Sequence, residues 1–286
     1  MARVKSMKRK NKIQNIIIYI CLVILSIIWV TPIAWIVYIS FSNIDSVAAM
    51  TVSPSYLTFQ HYINLFTNKS EPYFKWFINT LLVAIVTMFI NTFFIMAVAY
   101  TMSRLKFKSR KTLMSINLIL GMFPGFMSMI AIYNILKLVG LTRSLVGLTL
   151  CYTMTSGMGF YVAKGFFDTI SKSLDEAARI DGATNAQIFY KIILPLSKPI
   201  IVYTLVQSFM GPWMDYIFCN VILRDNRDSY TVAMGMYKWL NTKELKDSNF
   251  TNFFAGSVLI SIPIMSVFLA TQKYYIAGVT GGAVKG

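Results

Sequence analysis

Leu174 to Pro199 reads LDEAARIDGATNAQIFYKIILPLSKP, the longest polar interruption between two strongly apolar segments. Its residues predict two short helices joined by a turn. Ser173 followed by Glu176 has capping-box spacing, which gives two orphan amides at a helix start their acceptors. Ala177 and Ala178 favour helix and carry almost no side chain, so another surface can approach that face closely. Gly182 stands where a helix needs a left-handed residue to end. Thr184 and Gln187 repeat the capping spacing, and Ala186, Phe189, Tyr190 and Ile193 then form a predicted apolar stripe. Pro195 is expected to stop this second helix, and Pro199 suits the first turn of the next. Taken alone, the pattern fits an amphipathic linker lying on a membrane surface.

The composition places the stretch in a membrane protein. Of 286 residues, 56% are hydrophobic, with a mean hydropathy of +0.59. That is too apolar for a soluble domain. Cys21, Cys151 and Cys219 lie in apolar runs without metal or redox spacing. His61 is the single histidine, so zinc chemistry is not expected.

Charge placement sets the expected topology. Residues 1–12 are a basic arm without an acid, and 13–40 form an uncharged run of 28 residues. The run is too long for a signal-peptide core and lacks a cleavage site, so it reads as a retained transmembrane helix. Residues 41–76 are mixed and fall outside. Further spans are expected at 77–103, at 113–136 with a break at Pro124-Gly125, and at 145–167, 200–223 and 253–272. The arm and the 104–111 loop together hold eleven basic residues and no acid. The net charge of +16 therefore reads as inner-face topology and attraction to membrane lipid, not as a nucleic-acid footprint. The expectation is an all-α integral membrane protein with six transmembrane helices and both termini cytoplasmic. Its segments are the arm (1–12), first helix (13–40), outer loop (41–76), transmembrane domain (77–272) and inner tail (273–286). Within the domain lie an inner loop at 173–195 and an outer loop at 224–252.

Catalytic sets are missing. No stretch fits GxxxxGK[ST], so the chain lacks the usual phosphate cradle and is not expected to be an enzyme. A Ser/His/Asp set has only His61 to draw on. Asp215 is the one acid embedded in an apolar span, about 24 Å along the helix from Pro199. Two readings stay open for it: a residue facing a cavity, or an interfacial residue at a helix end. Gly211-Pro212 just before it is a candidate bend, as is Pro124-Gly125.

Glu176-Ala177-Ala178, then Asp181-Gly182, and later Ile192, Leu194 and Pro195 resemble the cytoplasmic EAA loop of membrane subunits of binding-protein-dependent ABC importers. In that family the loop docks into a cleft on the ATPase subunit. The resemblance implies the type I importer permease fold and a prokaryotic cytoplasmic membrane. It also implies a second homologous permease subunit, two ATPase subunits and an extracytoplasmic solute-binding protein as partners. ATP and magnesium would sit on the ATPase subunits, with no cofactor on this chain.

Leu223-Arg224-Asp225, Ser229-Tyr230-Thr231, Gly235-Met236 and Leu240-Asn241 resemble the last outer loop of maltose-type permeases, as does the Gly278–Gly286 tail. By that resemblance Gly235, Met236, Tyr237, Lys238, Trp239, Leu240 and Asn241 reach into the binding protein, with Tyr237 and Trp239 candidates for stacking on sugar. Both rings also suit an interfacial aromatic belt. The sequence departs from the family's pattern at Met214, where Asn is usual, and at Ile170-Ser171, where Ile-Pro is frequent. The competing class, a self-contained secondary transporter or channel for a small solute, needs coupling-ion acids at the midplane, and Asp215 alone is poor provision.

Overall fold

The computed structural model describes residues 2–43, 57–123, 125–154, 158–242 and 249–283. They are helical throughout, with no strand among them and one isolated bridge, Ser42 to Leu57. The helices are α1 (Ala2–Ser40), α2 (Gln60–Thr67), α3 (Tyr73–Arg104), α4 (Arg110–Gly121), α5 (Gly125–Leu138) and α6 (Leu145–Met154). There follow α7 (Gly159–Thr169), α8 (Ser173–Ile180), α9 (Asn185–Leu196), α10 (Lys198–Met214), α11 (Ile217–Leu223), α12 (Val232–Asn241) and α13 (Phe250–Ala283).

Three of these are long and apolar enough to cross a membrane unbroken: Lys12–Ser40 of α1, all of α3, and Phe250–Tyr274 of α13. Two bent pairs raise the number to five if each is one span, α6 with α7 at 46° and α9 with α10 at 84°. The region expected as span three is two shorter helices, α4 and α5, parted at 122–124. Pro124 lies outside the described residues, and Gly125 opens α5. Pro32 does not interrupt α1.

The chain divides into two units. One comprises Met1–Thr67 with Trp239–Leu259. From Ile13 to Val37 its first helix leaves large apolar side chains exposed, as a lipid-facing or partner-covered helix does. Only its end is buried. There Ser40 Oγ meets Tyr62 Oη at 2.8 Å, and His61 joins the Ser42 carbonyl and Thr251 Oγ1, each at 3.0 Å. The single histidine is thus a buried latch holding three backbone segments.

The other unit comprises Asn68–Lys238 with Ile260–Gly286 and is organised on α3, against which α6, α7 and α10 pack. Small residues and polar pairs let these apolar helices approach, since lipid offers no hydrophobic drive between them. A Cβ on Gly159 of α7 would stand 2.8 Å from Ile95 of α3. Asn91 of α3 donates to Ser208 Oγ of α10 at 2.9 Å. Farther along, Asn79 donates to the carbonyls of Asp228 and Tyr230 at 2.9 and 3.0 Å, and Thr80 Oγ1 accepts from the Val232 amide at 3.0 Å. These bonds pin the segment leading into α12 to the start of α3.

Candidate functional site

The two helices of the 173–195 loop form as the residues dictate, with three corrections. α8 ends in a complete Schellman motif. The Gly182 amide reaches the Arg179 carbonyl at 3.1 Å, the Ala183 amide reaches Ala178 at 2.9 Å, and Gly182 has φ +81°. The Thr184 capping box is also present, with the Thr184 amide on Gln187 Oε1 at 2.7 Å and the Gln187 amide on Thr184 Oγ1 at 3.3 Å. Across the turn Arg179 donates to Asn185 Oδ1 at 2.9 Å, locking one helix to the other.

The first correction concerns the start of α8. Ser173 makes no capping box with Glu176; its hydroxyl pairs with Ser171 at 2.7 Å, and Lys172 is the N-cap. The second concerns Pro195, which does not stop the second helix. Residues Phe189–Ile193 form a π turn, in which the Leu194 amide bonds back five residues to Phe189. The wider turn admits a ring that an α-turn would clash with, and the helix runs on to Leu196 before the 84° bend. The third follows from the second, because the π turn shifts the helix's phase. The buried set is Ile188, Phe189 and Ile193, while Ala186 and Tyr190 are exposed.

This buried set meets Ile95, Met96, Ala99 and Tyr100 of α3 and Phe160, Ala163 and Phe167 of α7 in one apolar core. Tyr100 packs at a tilt of 42° against Phe189 with ring centres 4.9 Å apart and donates to the Asn185 carbonyl at 3.0 Å. Ile192 and Leu194 pack on the edge of the same core, so they support the loop from behind. Pro195 is exposed on the far side.

α8 is held in a different way. Arg104, the last residue of α3, places Nε 3.2 Å from Asp175 Oδ2, and their side chains are 1% and 9% exposed. Its Nη2 donates to the carbonyls of Phe167 and Ile170 at 2.9 Å each. The Phe167 carbonyl also takes the Ile170 amide at 3.1 Å, so one guanidinium completes the end of α7 and anchors α8. Beside it Asp168 accepts from Ser103 at 2.6 Å and from Lys164 at 2.5 Å. Neither Arg104 nor Asp175 stands out in the sequence as a site residue. The only available signal was a basic residue closing a long apolar run.

The consequence is a helix of inverted polarity. α8 turns Asp175 inward and leaves Leu174, Glu176, Ala177, Ile180 and Asp181 exposed, Ile180 at 87%. Leu174 and Ile180 are thus exposed apolar residues on a helix tied to α3 through Asp175.

The 224–252 segment, expected as an outer loop, is built on a helix, α12. Gly235 is pressed against Trp76, whose ring a Cβ would meet at 2.1 Å, and Met236 and Trp239 are buried. Trp239, only 2% exposed, offers no face for sugar stacking. Tyr237 stacks on Tyr216 with centroids 3.7 Å apart, and Lys238 reaches the Tyr230 hydroxyl. The outward members are Tyr237, Leu240 and Asn241.

The expected bend at Gly211-Pro212 is displaced. α10 runs through both residues to Met214, and the break falls at Asp215, whose Oδ1 accepts from the Phe218 amide at 3.0 Å. Asp215 therefore takes an amide in the first turn of α11. Met214, at the family's usual Asn position, is 74% exposed.

Residues 94–280 match the family described as binding-protein-dependent transport system inner membrane component. The chain belongs to that family. Among its relatives is the galactooligosaccharides transport system permease protein GanQ of Bacillus subtilis (strain 168), 35% identical over 98% of this chain and 99% of the relative. Another is the maltodextrin transport system permease protein MalD of Streptococcus pneumoniae (strain ATCC BAA-255 / R6), 34% identical over 98% and 99%. A chain in the crystal structure of a bacterial ABC transporter that imports the acidic polysaccharide alginate shares the fold, with a TM-score of 0.76 and 22% identity over 93% of this chain and 98% of that one. The protein is thus a multi-pass membrane component of a binding-protein-dependent transport system, with the all-α fold of an ABC importer permease.

Proposed function

We propose that this chain forms half of the translocation path of an ATP-driven importer of oligosaccharides, with maltodextrin-like sugars as the substrate class. The sugar class rests on relatives named for galactooligosaccharides and maltodextrin. The observation that carries the coupling role is α8, a short helix with its acid anchored inward and its apolar residues turned out. Leu174, Glu176, Ala177, Ile180, Asp181 and Gly182 form the docking face for an ATPase subunit. Ile192, Leu194 and Pro195 belong to the helix that links this face to α10.

In this reading ATP and magnesium bind to two ATPase subunits, a second homologous permease completes the path, and this chain hydrolyses nothing. Closure of the ATPases displaces α8. The Arg104 anchor and the Tyr100–Phe189 ring contact pass that movement to α3 and α7, so that the path opens to alternate sides. α4 and α5 together supply a sixth span, which puts both termini in the cytoplasm of a prokaryotic cell and α12 on the outer face. There Tyr237, Leu240 and Asn241 are the members available to a solute-binding protein, and Gly235, Met236 and Trp239 hold them in position.

Reconstitution tests this. In proteoliposomes the chain alone should neither hydrolyse ATP nor accumulate sugar. Adding the second permease, ATPase subunits and liganded binding protein should start both. Ion-gradient-driven uptake by the chain alone would favour a secondary transporter instead.

A further inference from the structure

The cleft beside α8 carries charge that its own contacts do not satisfy. It encloses about 640 Å³ between the end of α3, the turn after it and α8. Arg104, Lys106, Arg110, Lys172 and Arg179 line it, against two carboxylates, Asp175 and Glu176. Of three buried atoms on this lining without a hydrogen bond, Arg104 Nε still faces Asp175 Oδ2 in the 3.2 Å ion pair, and two are left over. Arg104 Nη1 has no acceptor, and Asp175 Oδ1 has no donor. Buried polar atoms are rarely left so, because each loses its water without replacement.

The leftover pair specifies a ligand. An anion alone would satisfy the arginine and be repelled by the aspartate. A hydroxyl alone would leave five cations facing one another. A phosphate ester bearing a free hydroxyl supplies both, with phosphate oxygens for Arg104 and its neighbouring cations and a hydroxyl donor for Asp175. The position agrees with this chemistry. Arg104 closes a 32-residue helix long and apolar enough to cross a membrane, an end that lipid headgroups and soluble anions can both reach.

We propose that this cleft is a binding site for a hydroxylated phosphate ester, and that its occupancy steadies the Arg104–Asp175 anchor of α8. The chemistry has two sources: the glycerol-phosphate headgroup of an anionic lipid, and a free polyol or sugar phosphate. The site needs no transport to be detected, so its failure is separate from failure of the importer reading.

The test titrates labelled short-chain phosphatidylglycerol into the purified chain with its partner subunits, in neutral detergent. Binding should saturate. Arg110→Ala with Lys172→Ala should weaken it about ten- to thirty-fold, as expected for two cations near one phosphate. Lys108→Ala with Lys111→Ala removes the same charge from exposed side chains that do not line the cleft. That control should change binding less than about two-fold. Phosphatidylmethanol, equally charged but without the hydroxyls, should bind more weakly; equal binding overturns the hydroxyl half of the proposal. Competition by glycerol 3-phosphate in the micromolar range assigns a soluble ligand, and its absence assigns the lipid. Unsaturable binding, or equal weakening in both double variants, overturns the site in favour of diffuse surface attraction. Absence of binding to this assembled complex overturns it in favour of a protein-filled cleft.

Discussion

Arg104→Met tests the anchor on which the coupling role depends. The arginine is 1% exposed at the side chain, and its partner Asp175 is 9% exposed. Removing the guanidinium leaves Asp175 as a buried carboxylate without a counterion, takes the Arg104 donor from the Ile170 carbonyl and leaves Phe167 only the Ile170 amide. Breaking one side of a buried pair costs about 3–5 kcal/mol, whereas replacing both sides with apolar groups is often near neutral. Arg104→Met and Asp175→Leu should each release α8 locally, and the double variant should recover most of the loss. Amide hydrogen exchange across 173–180 reads this directly. A local loss of 3–5 kcal/mol corresponds to about two to three and a half decades in opening equilibrium. An eight-residue helix has little stability of its own, so exchange there should approach that of an unstructured segment. Amides in mid-α3, around Asn91, should keep their protection. Equal exchange in the single and double variants would refute the reasoning, as would a change below about five-fold.

Other positions make separate claims. Gly182 has φ +81° and open space around its Cβ position, so Gly182→Val should cost about 1–2 kcal/mol from backbone strain alone. Gly182→Asn, which tolerates that region, should be milder by the same exchange assay. Gly235 differs, because its strain would be steric. A Cβ would lie 2.1 Å from the Trp76 ring, so Gly235→Ala should lower the thermal midpoint by displacing α12, at about 1–3 kcal/mol. Asp215→Ala removes the acceptor for the Phe218 amide and should cost about 0.5–2 kcal/mol at the start of α11. Asp215→Asn, which keeps an acceptor, should restore thermal stability; if it transports no better than Asp215→Ala despite normal stability, the charge has a role beyond capping.

Local features of the loop were legible in the sequence, and long-range ones were not. Gly182 and the Thr184–Gln187 box depend on residues three or four apart, so their spacing carries the answer. Pro195 depends on the π turn before it. That turn is favoured by Phe189 packing on Tyr100, a contact no periodicity reports. The same turn moved burial from Tyr190 to Ile188. Asp175 looked like one more surface acid beside Glu176; only the return of the chain from α3 to α8 brings Arg104 against it. The outer segment misled for a related reason. Its Tyr, Lys and Trp are as polar and aromatic as an exposed loop, but Gly235 lets Trp76 in and turns Trp239 to the interior. Asp215 sits at a helix break three residues after Pro212, where the Phe218 amide is left for its carboxylate.

The most direct test of the coupling claim is co-purification of the ATPase subunits with Ile180→Glu, set against Tyr190→Glu. Ile180 and Tyr190 are both exposed, at 87% and 57%, but only Ile180 lies on α8. Ile180→Glu removes no buried contact and Tyr190→Glu loses only a ring contact with Phe189 at 5.0 Å, so the membrane domain should fold and insert as before. The account predicts that Ile180→Glu sheds the ATPase subunits or abolishes ATP hydrolysis stimulated by liganded binding protein, while Tyr190→Glu retains both more fully. Full assembly and full stimulation with Ile180→Glu would contradict it.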